Sequence, residues 1–204
     1  MPSHTTHTAP RTIIFFGPQG SGKGTQIALL EENLRAVDPK RQVINIQTGR
    51  RFRGLAARGE GYTENALSET LDTGALQPLF LSVTLWGDAM RTHLTPDHHL
   101  LIDGFPRTVA EATVLESALT FYKRNEVIII HLVTPDDVVR ARMQYRARHD
   151  DTPESIEARL RWYHDDTEKL LAYYHNREGT KILNIDGTKT IEEIQKNICK
   201  ALGI

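Results

Sequence analysis

The sequence predicts an α/β protein built on a five-stranded parallel sheet with helices on both faces. Five short runs rich in isoleucine and valine are predicted to be strands: TIIFF, QVINI, HLLID, VIIIHLV and KILNI. Runs this short and this apolar are typical of strands that are buried on both faces. Longer helical patterns separate them, and strand–helix alternation implies right-handed crossovers and parallel strands. A glycine-rich loop directly after the first run predicts a phosphate-binding site at one end of the sheet.

The helical segments are distributed unevenly between the strands. Roughly fifty residues with several helices and no strand separate the second and third strands, which is too many for one connection and predicts a helical insertion. A short polar stretch, RARHDDTP, separates two later helices. The candidate helices span residues 22–35, 49–58, 65–73, 78–93, 108–123, 136–147, 154–177 and 190–202.

Composition is that of a single globular domain. The chain has 204 residues, a formal net charge of -1 and one cysteine, which excludes an intrachain disulfide and a thiolate zinc cluster. A near-neutral balance argues against a nucleic-acid partner, and no apolar run approaches the ~20 residues that span a bilayer. Residues 1–10 lack an apolar signal core and are predicted to be a disordered tail. We therefore expect a cytoplasmic monomer with no nucleic-acid or membrane partner.

The loop after the first strand, GPQGSGK, fits the first seven positions of the phosphate-binding pattern G-x-x-x-x-G-K-[ST]. Glycine tolerates the positive φ values that turn amide hydrogens inward, and the following helix adds its N-terminal amides. The hydroxyl of the pattern comes one residue late, at Thr25, where it can serve magnesium or a phosphate. A chance glycine-rich turn is the alternative, and the strand–loop–helix context argues against it. The candidate ATP contacts in this segment are Gly20, Ser21, Gly22, Lys23, Gly24 and Thr25.

The segment GPQGSGKGTQ, with GKGT in place of GK[ST], resembles the loop of adenylate kinases and their nucleoside monophosphate kinase relatives. DGFPRT, residues 103–108, matches the signature of that family in full, and NIDGTKTIEEI resembles its last strand and helix. The resemblance runs from about Arg11 to the C-terminus. It implies a P-loop kinase fold in one domain over residues 11–204, with an insertion that binds the nucleoside monophosphate (NMP) at 48–77 and a short lid at 143–153.

Two of these motifs are expected to form the acceptor site. QTGRRFRG resembles the family's threonine–glycine motif, which implies that Thr48 touches the acceptor base and Arg53 its α-phosphate. Taken alone, an arginine-rich helix start is more typical of a solvated surface. In DGFPRT, Asp103 ends a buried strand and is the candidate magnesium ligand, whereas on its own it would be a turn or cap residue. Gly104 and Arg107 follow it into the same crevice.

The segment VVRARMQYRARHDDTPESIEARL is rich in arginine. In isolation it would be a salt-bridged surface helix. In the family, arginines at matching positions come from the lid and its hinges. The resemblance implies that Arg142 lies against the adenine of ATP, and that Arg146, Arg148 and Arg159 converge on the phosphates being transferred. Arg140 has no counterpart.

The resemblance implies a reversible, Mg2+-dependent transfer of a phosphoryl group from ATP to AMP, giving two ADP. This chemistry depends on positioning and charge neutralisation more than on a strong base. Lys23 and the arginines would neutralise the phosphates, Lys189 is assigned to ATP, and Thr25 and Asp103 to Mg2+, which they would hold through water. A lid that closes over both substrates excludes water, and its movement is expected to limit turnover.

Three residues around the acceptor depart from the family pattern. Arg50 follows the threonine–glycine pair where the family usually has an acidic residue, and Gln77 replaces the usual valine. Glu111 stands where adenylate kinases carry the glutamine that binds adenine. An ionised carboxylate only accepts hydrogen bonds, so Glu111 alone favours guanine, which presents two adjacent donors. Gln77 restores a donor for adenine if it turns inward; alternatively, Glu111 points to solvent in the first turn of its helix.

These departures leave several hypotheses open. AMP is the favoured acceptor, followed by GMP and then by CMP or UMP. A nucleotide sensor that has lost turnover is a hypothesis of a different class, although the intact Lys23, Asp103 and Arg107 argue against it. The histidines support no competing chemistry; His131, in an apolar strand, is predicted to be a satisfied core residue.

Overall fold

The computed structural model of the protein describes residues 9–204 and contains five strands. All neighbouring strands are parallel, and the sheet order is second, third, first, fourth, fifth. The predicted five-stranded parallel sheet is therefore confirmed. The predicted tail at residues 1–10 lies outside the described residues except for its last two positions. The strands are β1 (Thr12–Phe16), β2 (Val43–Gln47), β3 (His99–Asp103), β4 (Val127–Val133) and β5 (Thr180–Asp186).

Each predicted helix is present, with its ends shifted by at most three residues. No helix among residues 9–204 is long and apolar enough to cross a membrane. The helices are α1 (Lys23–Val37), α2 (Thr48–Ala56), α3 (Tyr62–Asp72), α4 (Leu79–His93), α5 (Val109–Phe121), α6 (Asp136–Arg146), α7 (Pro153–His175) and α8 (Ile191–Leu202).

Each face of the sheet carries its own hydrophobic core. Successive residues of a strand point to opposite faces, so the neighbours Ile13 and Ile14 belong to different cores. On one face, α4, α5 and α7 contribute buried side chains that include Trp86, Leu115 and Tyr174. On the other face, α1 and α8 cover the sheet with Ile27, Leu30, Leu34, Ile194 and Ile198. The prediction of helices on both faces is confirmed.

Strand order places a crevice between β1 and β3. After β1 the chain continues into α1, which covers one face of the sheet, and then into β2. After β3 it continues into α5, which covers the other face, and then into β4. The two connections therefore diverge at the carboxyl ends of adjacent strands, which is where open α/β sheets bind ligands.

Two segments lie outside this simple alternation. Helices α2 and α3 fall within the predicted insertion at residues 48–77, and α4 follows it. A six-residue connection, 147–152, joins α6 to α7 within the predicted lid at 143–153. The side chain of Thr152 caps α7 by accepting a hydrogen bond from the Ser155 amide. Whether these two segments move relative to the sheet stays a prediction.

Candidate active site

A cavity of about 700 Å³ opens at the carboxyl ends of β1 and β3. Its acidic lining consists of Glu31 and Asp103. Its cationic lining is larger and comprises Lys23, Arg50, Arg53, Arg107, Arg142, Arg146 and Arg148. This excess of positive charge in a concave site favours a polyanionic ligand.

The glycine loop forms the floor of this cavity. Gly20 and Gly22 both adopt a φ of 98°, and a Cβ on Gly20 would lie 2.7 Å from Cγ of Met143. Gly22 is the N-cap residue of α1, so the amides of the first turn face the cavity without a side-chain cap. Lys23 Nζ donates to the carbonyl oxygens of Gly17 and Pro18, at 2.7 and 2.8 Å. Burial lowers the pKa of Lys23 to about 8, against the opposing effect of Asp103.

Oxygen donors suited to magnesium occupy the same region. Asp103 lines the cavity at the end of β3, and Thr25 lines it from the first turn of α1. No cluster of three or more histidine, cysteine, aspartate or glutamate residues among residues 9–204 could enclose a metal. This donor set fits an ion held largely by substrate phosphates and water, as Mg2+ usually is.

The start of α2 lies directly against the loop that follows β3. Thr48 Oγ1 donates to the carbonyl oxygen of Asp103 at 3.4 Å. Gly104 has a φ of 83°, and a Cβ there would lie 2.7 Å from Thr48 Oγ1. This close approach brings Arg53 of α2 and Arg107 into the same cavity. Burial lowers the pKa of both guanidinium groups below the ordinary arginine value.

Glu111 points into the protein and not to solvent. It is 3% exposed, and its Oε1 accepts hydrogen bonds from Ser82 Oγ at 2.6 Å and Trp86 Nε1 at 3.1 Å. Its Oε2 accepts from the backbone amide of Arg107 at 2.7 Å. The alternative of a solvent-facing Glu111 is therefore wrong. Because the indole and the amide can only donate, both oxygens of Glu111 act as acceptors.

A second cavity, of about 80 Å³, adjoins Glu111. Its other walls include Phe52, Leu76 and Gln77. The buried amide of Gln77 turns inward, where Oε1 accepts from Thr70 Oγ1 at 2.8 Å and Nε2 donates to the Ala75 carbonyl at 3.1 Å. One N–H of this amide stays available, because an amide nitrogen carries two hydrogens.

Asp151 holds the connection between α6 and α7 through several hydrogen bonds. Its carboxylate, 0% exposed, accepts from Arg146 Nε and Nη2 at 2.9 and 2.7 Å and from Arg159 Nη1 at 2.9 Å. The Arg148 amide donates to it at 3.3 Å. Burial alone would raise the pKa of Asp151, but the hydrogen bonds and charges of these groups outweigh it and hold the pKa below its ordinary value.

Asp151→Asn is expected to lower the free energy of unfolding by about 1.5–3 kcal/mol at neutral pH, because it removes the negative charge that accepts hydrogen bonds from Arg146 and from the buried Arg159. Since the pKa of Asp151 is depressed by folding, its contribution is present above the ordinary value of 3.8 and is lost as the pH falls below it. Urea unfolding at several pH values measures the gap between the variant and the parent protein. Asp165→Asn, on the exposed side of α7, is the control. A gap that stays constant down to acidic pH would contradict this account.

Several predicted site residues do not line the large cavity. Arg159 is 4% exposed, pairs with Asp150 and Asp151, and lines a cavity of about 30 Å³ together with Arg53 and Arg107. Lys189 lies in the loop before α8, half exposed, with Nζ 3.8 Å from an oxygen of Asp186. Ser21 and Thr48 are buried beneath the cavity wall, and Gln77 and Glu111 face the smaller cavity. The remaining predicted residues, Gly20, Gly22, Lys23, Gly24, Thr25, Arg53, Asp103, Gly104, Arg107, Arg142, Arg146 and Arg148, lie together around the large cavity.

Two aromatic residues of α7 that the sequence did not indicate also line the cavity. Trp162 and Tyr163 look like core residues in a helical pattern, and no motif marks them. Tyr163 OH lies 3.0 Å from His131 Nε2, and Asn184 Oδ1 lies 3.0 Å from His131 Nδ1. His131 is thus satisfied, as predicted, but half-buried beside the site and not within the core.

The sheet order and the glycine loop at the crevice define an α/β protein of the P-loop class. A sequence model of the family described as Adenylate kinase matches residues 15–179. The chain belongs to the adenylate kinase family.

Individual relatives match over nearly the whole chain. An adenylate kinase of Corynebacterium aurimucosum is 36% identical over 190 residues, covering 93% of this chain and 98% of that protein. An adenylate kinase of Corynebacterium glutamicum is 34% identical over 191 residues, covering 94% and 98%. Adenylate kinase 1 of a Nostoc species is 34% identical over 196 residues, with the same coverage.

Proposed function

We propose that the protein catalyses the reversible transfer of a phosphoryl group from ATP to AMP, giving two ADP. The observation that carries this proposal is the single cavity into which the glycine loop, Asp103 and six arginines project. Two phosphate chains that repel each other can approach only where cations neutralise both. Membership of the adenylate kinase family supports the same reaction.

The two substrates would occupy different ends of this cavity. The amides of the glycine loop and Lys23 would hold the ATP phosphates, with Arg142 anchored to the Gly187 carbonyl at 2.8 Å on the same side. Arg53 and Arg107 would hold the acceptor phosphate, because planar guanidinium groups bind phosphate oxygens two at a time. Charge on the transferring group would be met by Arg146 or Arg148, both at the lid.

Mg2+ fits beside this arrangement, with Thr25 and Asp103 as the residues that would hold it, through water. When bound, it would neutralise charge on the ATP phosphates and fix their geometry. Asp103 also faces Lys23 across the cavity and raises its pKa against the effect of burial, which favours the charged amine. The chain's own groups therefore bind, orient and screen the phosphates and perform no proton abstraction.

The small cavity between Glu111 and Gln77 is the proposed site of the acceptor base. Three of the four lone-pair positions of the Glu111 carboxylate are occupied by protein donors, which leaves one for a ligand. Guanine would need two adjacent acceptors for its N1 and N2 hydrogens. Adenine needs one acceptor for its amino group and one donor for N1, and the free N–H of Gln77 supplies that donor. This count favours AMP over GMP.

Glu111→Gln is expected to destabilise the fold by about 1–3 kcal/mol, because its amide nitrogen would face a group that can only donate. A glutamine amide offers a donor as well as an acceptor, the pair that adenine needs, so the AMP-to-GMP ratio of kcat/KM should rise. Thermal unfolding and steady-state kinetics with both acceptors measure the two effects. Glu192→Gln, exposed in the first turn of α8, is the matched control. Unchanged stability would mean that Ser82, Trp86 and the Arg107 amide do not hold this carboxylate.

Disproportionation of ADP separates a kinase from a nucleotide sensor. Given only ADP and Mg2+, the protein should produce ATP and AMP in equal amounts, and a chelator should abolish the reaction. Chromatography of the quenched mixture measures both products. AMP with phosphate and no ATP would indicate hydrolysis, and unchanged ADP despite tight binding would support the sensor hypothesis. A cytoplasmic location and a monomeric state stay predictions from the sequence.

A further inference from the structure

Trp162 makes two contacts that join separate parts of the site. The Cζ atom of Arg107 lies 4.8 Å from the centre of its ring, within the range of a cation–π interaction. Its Nε1 donates to the carbonyl oxygen of Gly74 at 3.1 Å. Arg107 belongs to the loop after β3, whereas Gly74 lies between α3 and α4. Trp162 therefore connects α7 to both.

Arg107 is held by two hydrogen bonds and a ring contact. Its Nε donates to the Gly104 carbonyl at 2.7 Å, and its backbone amide donates to Glu111. The indole of Trp162 covers one face of the guanidinium. Among residues 9–204, neither Nη atom of Arg107 donates a hydrogen bond to another residue, so both are available to a ligand in the cavity that Arg107 lines.

The corner at Gly74 packs closely against α7. Gly74 has a φ of 71°, and a Cβ there would lie 2.6 Å from the carbonyl oxygen of Ser155 in the first turn of α7. The Trp162 hydrogen bond adds a second attachment two turns further along the same helix. Side chains that are fixed at two points lose little further freedom when a ligand binds.

We propose that Trp162 is a positioning residue for the acceptor: its ring fixes the plane of the Arg107 guanidinium so that both Nη atoms meet the acceptor phosphate. Its hydrogen bond to Gly74 fixes the indole, and with it the guanidinium, relative to the connection between α3 and α4. This inference rests on the proposed function, because it assigns Arg107 to the acceptor phosphate. It concerns orientation, and Trp162 takes no part in the transfer itself.

Steady-state kinetics of Trp162→Leu test this role. The variant should raise KM for AMP about 3- to 30-fold, the loss expected for one cation–π contact, while KM for ATP changes less than about twofold. Tyr173→Leu, which removes a half-buried aromatic residue of the same helix remote from the cavity, should leave both KM values unchanged. A merely structural role of Trp162 would instead alter both KM values together with the melting temperature.

A double-mutant cycle with Arg107→Ala gives a second readout. If Trp162 acts through Arg107, Trp162→Leu should have no further effect on KM for AMP once the guanidinium is gone. Multiplicative effects in the double variant would overturn the proposal. Should Trp162→Leu fail to fold, Trp162→Phe decides, because a phenyl ring makes a weaker cation–π contact than an indole and cannot donate to Gly74. A rise of at least about twofold in KM for AMP is expected, and no rise refutes the role. Absence of transfer by the parent protein would refute the proposed function and not this contact.

Discussion

Lys23→Met is expected to lower the rate of phosphoryl transfer about 100- to 1,000-fold while leaving the fold intact. The side chain lies at the floor of the cavity, where the hydrogen-bond partners of Nζ among residues 9–204 are the Gly17 and Pro18 carbonyls and, more distantly, Ser21 Oγ. These contacts can be exchanged for phosphate oxygens when ATP binds. Methionine retains the length and the apolar stem but places no charge beside the phosphates. The measurement is kcat in both directions, with circular dichroism to verify the fold.

Lys196→Met is the matched control for this prediction. Lys196 lies on the exposed face of α8, on the opposite side of that helix from its buried residues. It should retain the activity of the parent protein. Unchanged transfer in Lys23→Met would contradict the assignment of the glycine loop to the ATP phosphates. Loss of the circular dichroism signal would instead point to a structural role for the lysine.

Arg107→Ala is the second change with a large expected effect. We expect kcat/KM for AMP to fall by about 100-fold or more, because the guanidinium that holds and orients the acceptor phosphate is lost. Only the side chain is removed, so the backbone amide still donates to Glu111 and keeps that carboxylate in place. Affinity for ATP, measured by calorimetry without acceptor, should change little.

The control for Arg107 is Arg91→Ala. Arg91 lies on the exposed side of α4 and pairs with Asp88 through a contact that is largely solvated. Its loss should leave kcat/KM for both substrates within about twofold. A fall in ATP affinity equal to the fall in AMP efficiency would show that Arg107 serves the donor and would contradict its placement at the acceptor.

The sheet and the glycine loop were predictable because their signals are local. TIIFF, HLLID and VIIIHLV coincide with β1, β3 and β4, since short β-branched runs have no competing helical pattern. The other two strands differ from the predicted runs by one residue at each end, where pairing with the neighbouring strand decides the boundary. The family motifs also marked most of the cations that line the cavity, but the predicted cations Arg159 and Lys189 lie outside it.

Packing around the acceptor could not be predicted in the same way. Glu111 stands in the first turn of α5, where an exposed acidic residue is equally favourable for the helix. Only the approach of α4, which brings Ser82 and Trp86 to the carboxylate, makes it buried. The role of Trp162 could not be predicted either, because its partner Arg107 is distant in sequence. A contact between two separate helices or loops cannot be recognised from the local sequence of either one.

Offering AMP, GMP, CMP and UMP separately, each with ATP and Mg2+, tests the central claim most directly. ADP formation is followed by chromatography against a reaction without acceptor. We predict rapid transfer to AMP and much slower transfer to GMP, because the carboxylate of Glu111 has one acceptor position free and Gln77 supplies one donor. A preference for GMP would contradict this account of the acceptor base. Failure to transfer to any of the four, with ATP bound tightly, would contradict the proposed activity itself.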